Sequence, residues 1–344
     1  MSLIEKLKKN STLKRSAVLS ESTAYAPKDL ITTPVPMINV ALSGKIDGGL
    51  GYGLTTIAGK SRHFKTGYLL LLMASFQKKH PNGVILFYDS EFGTPQSYFE
   101  NYNIDISKVI HTPIMNIEEL KFDIISQLEG IDDNDEVFIG IDSVGNLASK
   151  KEMEDAIAEK SALDMTRAKS LKGLYRIVTP YLSLKKVPMV QIMHTYDSMD
   201  LFPTQILGGG QGAMLSSDTI FFIGKSQDKD SEGIQGYHFT ITIEKSRFIK
   251  EKSKIPITVR YDAGIDKFSG LLELAIEGKY VEKSGNGFVR CHIDNDPKFY
   301  PKKSEQKDIG LWWKEVLSNT DFKNFIESKY ALDNRSMLSD EENE

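Results

Sequence analysis

Eight residues, Gly59-Lys60-Ser61-Arg62-His63-Phe64-Lys65-Thr66, have the types and order of a phosphate cradle. They follow the apolar run L-T-T-I-A and precede an apolar helical pattern. The phosphate-loop pattern is G-x-x-x-x-G-K-[ST] between a strand and a helix. Backbone N–H groups at the helix start hold phosphate oxygens there. The lysine neutralises the β- and γ-phosphates and the hydroxyl takes Mg²⁺. Lys65 and Thr66 stand in those two positions, and Phe64 replaces the second glycine. In isolation an ordinary turn can carry the same residues, so the context decides. A later apolar run, V-F-I-G-I-D-S, ends at Asp142, where a carboxylate can support Mg²⁺. Loop and acid in this order imply a nucleoside triphosphatase that uses Mg²⁺.

Hydrolysis also needs a carboxylate that orients and polarises water. Between the two segments lies V-I-L-F-Y-D-S-E, which puts Asp89 and Glu91 at a strand end. Open α/β sheets place their ligands at that end. Glu91 is the candidate base, and Asp89 either helps with metal or caps the strand. Tyr98 has the ring to stack on a nucleobase, although a lone tyrosine more often packs. The six histidines are scattered and form no helical pair around a glutamate, which excludes that kind of zinc enzyme.

The elements that must position these residues are short apolar runs at 55–58, 84–88, 137–141, 188–193 and 219–223, with helical patterns between them. Runs of this kind suit strands buried on both faces. Their alternation with helices predicts an α/β fold with a mainly parallel central sheet. Residues 1–30 read as an amphipathic arm followed by a proline-containing linker, with Leu3, Ile4 and Leu7 as the apolar stripe. Residues 31–275 read as the core. Residues 276–344 read as a small α/β appendage with a Gly285-Asn286-Gly287 hairpin, Trp312 and Trp313 in a final helical stretch, and an acidic tail.

Composition fits a soluble globular chain, 40% hydrophobic and 26% charged. The formal net charge of −4 gives no general affinity for nucleic acid, so any such site must be a local basic surface. No secretory signal is visible, and no apolar run reaches the roughly 18 residues of a membrane span. The single cysteine, Cys291, fits a reducing cytoplasm.

Beyond these motifs, P-V-P-M-I-N-V-A-L-S-G, I-A-G-K-S-R-H-F-K-T, L-F-Y-D-S-E-F-G, I-D-S-V-G-N-L-A-S-K-K-E, D-M-T-R-A-K-S, G-G-G-Q-G and I-E-K-S-R together resemble the UvsX recombinases of T-even-type bacteriophages, a RecA-like strand-exchange family. The resemblance covers residues 1–274 and fades beyond Gly285. It implies a RecA-type ATPase core, helical filaments on single-stranded DNA with ATP between subunits, and homologous pairing and strand exchange. It also implies a mediator and a single-strand-binding protein as partners, and a host-cell cytoplasm if the chain is phage-encoded. By similarity, Tyr98 stacks on adenine, and Phe64 is a feature of this branch. His194, ending P-M-V-Q-I-M-H, takes the place of a γ-phosphate sensor. Lys245 and Arg247 look like the cations that reach ATP on the neighbouring subunit.

The family pattern also supplies two candidate DNA loops. The first, 148–160, mixes Lys150, Lys151 and Lys160 with four acids. The second, 195–213, contains Phe202 and the run Gly208, Gly209, Gly210, Gln211, Gly212, which suits a mobile segment that orders on a ligand. Between them a helix at 164–182 carries Lys169, Lys172 and Arg176 at i, i+3 and i+7, hence on one face. Arg167 matches a DNA-contacting position of the family. Contacts of this type go to phosphates and carry no sequence preference, so both single- and double-stranded DNA are expected ligands. Two other classes share many of these features: a ring-forming motor on the same core, and a filament former that uses ATP only as a shape switch.

Overall fold

The structure, a computed structural model, describes residues 2–13, 15–22, 29–132, 134–159, 166–199, 203–231, 233–291, 293, 296–300 and 309–332. Phe202, Lys160, most of the proline-containing linker and the acidic tail lie outside the described residues.

Helix α1 (Leu3–Asn10) opens the chain, closed at its start by a capping box between Ser2 and Glu5. It buries none of its residues, and Leu3, Ile4 and Leu7 stay exposed. Then come α2 (Pro36–Ser43), β1 (Gly53–Gly59), α3 (Lys65–Lys79), β2 (Val84–Asp89), α4 (Gln96–Asn101), β3 (Val109–Pro113), α5 (Ile117–Gly130) and β4 (Val137–Asp142). Next are α6 (Lys150–Ile157), α7 (Thr166–Leu184), β5 (Pro188–Met193), a short ribbon of β6 (Thr195–Asp197) and β7 (Gln205–Leu207), and α8 (Gln211–Ser216). The chain continues through β8 (Thr219–Asp230), β9 (Gly233–Ser246), β10 (Lys254–Arg260), β11 (Gly264–Ile265), α9 (Leu271–Glu277), β12 (Val281–Ser284), β13 (Gly287–Arg290), α10 (Ile309–Ser318) and α11 (Thr320–Tyr330).

Among the described residues, nine strands form one sheet in the order β11-β10-β9-β8-β1-β5-β4-β2-β3. The run from β8 to β3 is parallel, and β9 to β11 extend it antiparallel. Every residue of β1, β4 and β5 is buried, because helices cover both faces. One core contains α3 residues such as Leu69 and Met73. The other contains Ile124 of α5 and Leu171, Leu174 and Val178 of α7. The expected α/β class, parallel sheet and hairpin at Gly285 are all present.

Trp312, Trp313, Phe322 and Ile326 of the last two helices belong to the same apolar cluster as Met37 of α2 and Ile241 and Ile257 of the antiparallel strands. The apolar side chains on both sides of residue 275 thus share a core. The second candidate loop is more structured than its glycines suggest. Gly208 donates its N–H to the His194 carbonyl, closing the base of the β6–β7 ribbon. Gly209 and Gly210 take φ of 83° and 81°, which suits residues without a Cβ. Gly212 lies inside α8, where a Cβ would come within 3.3 Å of Lys172 Cα and 3.2 Å of the Tyr175 ring. Gly209, Gly210 and Gly212 permit close approach to α7.

Candidate active site

The parallel strands all deliver their C-terminal ends to one rim. Gly59 ends β1, Asp89 ends β2, Asp142 ends β4, and His194 follows β5. A cleft of about 1120 Å³ opens there, lined by Ser61 to Thr66, Glu91, Tyr98, Asp142 and His194. Lys60 stands beside it and pairs with Asp197 of β6 at 2.7 Å. Gly59 passes close to β8, where a Cβ would lie 3.2 Å from the Ile223 carbonyl oxygen.

Phe64 adopts a left-handed backbone, φ 58° and ψ 22°, immediately before α3. Glycine is the usual occupant of such a turn. Here the ring stacks on Phe239 of β9 at 5.5 Å and meets Tyr68 edge-on at 5.5 Å. Gly67, one turn on, leaves room for it, since a Cβ there would sit 2.5 Å from the ring.

Lys65 is buried, and its Nζ donates to the Lys60 carbonyl at 2.9 Å. Burial lowers its pKa, opposed by the charges of Glu91 and Asp142. Thr66 donates its hydroxyl to Asp142 Oδ2 at 2.7 Å, while the buried Asp142 Oδ1 has no hydrogen-bond partner among the described residues. Burial pushes the Asp142 carboxyl up to about 6. A buried carboxylate oxygen without a donor, beside a hydroxyl and a lysine, fits a site that takes a cation and phosphate oxygens. Among the described residues no cluster of three His, Cys, Asp or Glu forms a metal cage. An ion here would therefore be shared with phosphates and water.

Asp89 is a cap. Its Oδ1 accepts the backbone N–H groups of Glu91 and Phe92, and its Oδ2 faces His111 Nε2 at 3.3 Å. That turn presents Glu91 to the cleft. Glu91 Oε1 accepts from Ser143 Oγ at 2.6 Å, His194 Nε2 at 3.1 Å and Asn146 Nδ2 at 3.3 Å. The His194 hydrogen bond, with the one from Ser143 and the charge of Lys65, holds the Glu91 carboxyl at about 2. An ionised carboxylate only accepts, so Nε2 of His194 carries the proton in this contact. Ser143 and Asn146 were not read as site residues, although both stand in the I-D-S-V-G-N segment. Nor were Tyr237 and Lys225, which also line the cleft: the Lys225 ammonium sits 3.6 Å above the Tyr237 ring and donates to the Arg62 carbonyl of the loop at 3.1 Å. They come from β9 and β8, far from the loop in sequence.

Lys245 and Arg247 do not line this cleft. Lys245 pairs with Ile220, and Ile220 with Thr56, three strand positions or about 10 Å short of Gly59. Its Nζ donates to the Met214 and Leu215 carbonyls, and Arg247, just past β9, pairs with Asp218 at 3.0 Å. Both cations therefore converge on the C-terminal end of α8 and the short link to β8. On α7, Lys169, Lys172 and Arg176 are exposed on one face, opposite the buried Leu171, Leu174 and Val178. Arg167, at the start of α7, donates to the carbonyls of Val144, Gly145 and Leu147.

No family model matches the chain. It is, however, 44% identical over 336 residues to the "Recombination and repair protein" of Enterobacteria phage T4, covering 96% of this chain and 86% of that one. The chain belongs to the UvsX family of RecA-like recombinases. More distant similarity extends to "Protein RecA" of Mycoplasma mycoides subsp. mycoides SC, 27% identical over 250 residues and 70% of each chain. "Protein RecA" of Rickettsia canadensis is 26% identical over 247 residues, 70% of this chain and 69% of its own. The UvsX-family chain thus has a RecA-type core, and its function is that of a recombinase in recombination and repair. Among the described residues no helix is long and apolar enough to cross a membrane.

Proposed function

We propose that this recombinase binds ATP and Mg²⁺ in the cleft, polymerises as a helical filament on single-stranded DNA, and catalyses homologous pairing and strand exchange in recombination, repair and recombination-dependent replication. One observation carries the ATPase reading: the ends of neighbouring parallel strands bring Lys65, Thr66, Asp142 and Glu91 into a single cleft. Residues 59–66 would cradle the phosphates through backbone N–H groups, with Lys65 on the β- and γ-phosphates and Tyr98 against the base. Thr66 and Asp142 would hold Mg²⁺, which offsets the phosphate charge. Glu91 uses Oε1 for its three donors, which leaves Oε2 to polarise the attacking water. Lys169, Lys172 and Arg176, with Arg167 and the glycines at 208–212, form the proposed DNA surface. Double-stranded DNA is the second substrate, and a mediator and a single-strand-binding protein are the proposed partners.

Glu91→Gln tests this reading. Glutamine keeps the shape and loses the anion, so nucleotide binding should persist while ATP turnover on DNA falls by about 10²-fold or more. Electron microscopy with single-stranded DNA and ATP should then show long, persistent filaments. Turnover near wild type would remove Glu91 as the base, and closed rings would favour a ring motor.

The arm supplies a second check. Leu3, Ile4 and Leu7 are exposed and α1 buries nothing, so the apolar stripe suits a neighbouring subunit. Deleting residues 1–25 should leave the melting temperature close to that of the full chain. Sedimentation should show mainly monomer. Normal filaments from the shortened chain would exclude the arm from assembly.

A further inference from the structure

The contacts of Glu91 reach beyond the cleft. Its three donors come from different places: Ser143 follows β4, His194 follows β5, and Asn146 stands in the turn that leads into the first candidate DNA loop. We propose that Asn146 is a positioning residue, which sets the orientation of the Glu91 carboxylate according to the state of that loop. The inference rests on Glu91 being the base and on the first loop meeting DNA.

Four observations support it. Ser143, His194 and Asn146 all donate to Oε1, so together they fix which oxygen faces the cleft. Asn146 is the longest of the three contacts, at 3.3 Å, and it is exposed, so it is the one most easily tightened or lost. The turn that carries it is seated directly on His194. A Cβ on Gly145 would lie 2.6 Å from His194 Cδ2, so only glycine allows that approach. The same turn is held from the other side by Arg167, whose guanidinium donates to the carbonyls of Val144, Gly145 and Leu147. A phosphate of bound DNA competes with those carbonyls for Arg167, because a charged acceptor makes the stronger hydrogen bond. The turn then shifts, and the Asn146 amide shifts with it. DNA at the first loop is thereby linked to the base through contacts that already exist.

The test compares Asn146→Ala, Asn146→Asp and Asn146→Gln in the full-length chain, each checked for an unchanged melting temperature. Steady-state ATPase is measured with saturating single-stranded DNA, and DNA affinity by fluorescence anisotropy with a labelled oligonucleotide. Alanine removes the donor, so kcat should fall about fivefold with KM for ATP and DNA affinity unchanged. Aspartate keeps the shape but sets a second anion against Glu91, so its kcat should fall below that of alanine. Glutamine keeps the donor on a longer arm and should recover most of the loss. Gly145→Ala, which pushes the turn off His194, should reproduce the loss of kcat. Wild-type kcat in both Asn146→Ala and Asn146→Asp overturns the proposal. So does a parallel fall of kcat and DNA affinity, which would make Asn146 part of the DNA surface. Glu91→Gln, run alongside, reports separately on the base itself, so failure of that reading is visible independently.

Discussion

Lys65→Ala is expected to abolish ATP turnover and to weaken DNA binding with it. Lys65 is buried at the start of α3 and already donates to the Lys60 carbonyl across the loop. Its charge acts where water is scarce, so it stabilises phosphate charge far more than an exposed lysine would. Burial lowers its pKa, and Glu91 and Asp142, the two acids of the cleft, oppose that lowering. Removing one such donor from a preorganised site typically costs roughly 10²–10³-fold in rate. The loss here should be at the upper end, because nucleotide affinity falls as well. Lys65→Arg should not restore activity, since a planar fork does not fit where a compact ammonium sits. Steady-state ATPase and the Kd of a fluorescent ATP analogue measure the two parts. Wild-type turnover in Lys65→Ala would mean that another residue meets the phosphates.

Phe64 shows why this site was only partly legible in the sequence. The loop pattern is local, so its position between a strand and a helix could be read from spacing alone. The pattern's second glycine serves a left-handed turn, and here phenylalanine makes the same turn at φ 58°. That conformation costs about 1–2 kcal/mol for a residue with a Cβ. Stacking on Phe239 and the edge contact with Tyr68 each return about 0.5–1.5 kcal/mol. Phe239 is far away in sequence, so nothing local announces the compensation. Asp142 was legible because an apolar strand run ends on it, and Glu91 because it stands two residues past the end of another. Ser143 and Asn146 were not, because their role depends on a contact with a neighbouring strand end. The glycines at 208–212 were read as mobile, but close approach to α7 explains Gly209, Gly210 and Gly212 equally well, and a sequence does not separate the two uses of glycine.

Lys245 and Arg247 should act on the nucleotide of the next subunit. The phosphate loop alone leaves the γ-phosphate short of positive charge. A cation supplied by a partner accelerates hydrolysis by about 10³–10⁵-fold in related phosphoryl transfers. Within one chain these two residues cannot serve. Lys245 lies about 10 Å short of Gly59 along the strand and two strands away, and neither side chain lines the cleft. Both instead meet at the C-terminal end of α8, with Lys245 on the Met214 and Leu215 carbonyls and Arg247 on Asp218 just beyond it. Arg247 stays largely exposed there, and Lys245 is lowered in pKa by burial and by Arg247 beside it. Two cations held close together are relieved by an anion that approaches both. A filament repeats one head-to-tail contact, so this edge of one subunit can face the cleft of another. The double variant Lys245→Ala with Arg247→Ala should therefore bind ATP normally and hydrolyse it at least 10³-fold more slowly on DNA. Mixing it with Lys65→Ala, itself inactive, should restore part of the DNA-dependent ATPase, because some junctions then receive a sound loop from one subunit and sound cations from the other. Normal turnover by the double variant alone would show that the cations are not needed. No recovery on mixing, while electron microscopy of differently tagged subunits shows shared filaments, would falsify the arrangement across subunits.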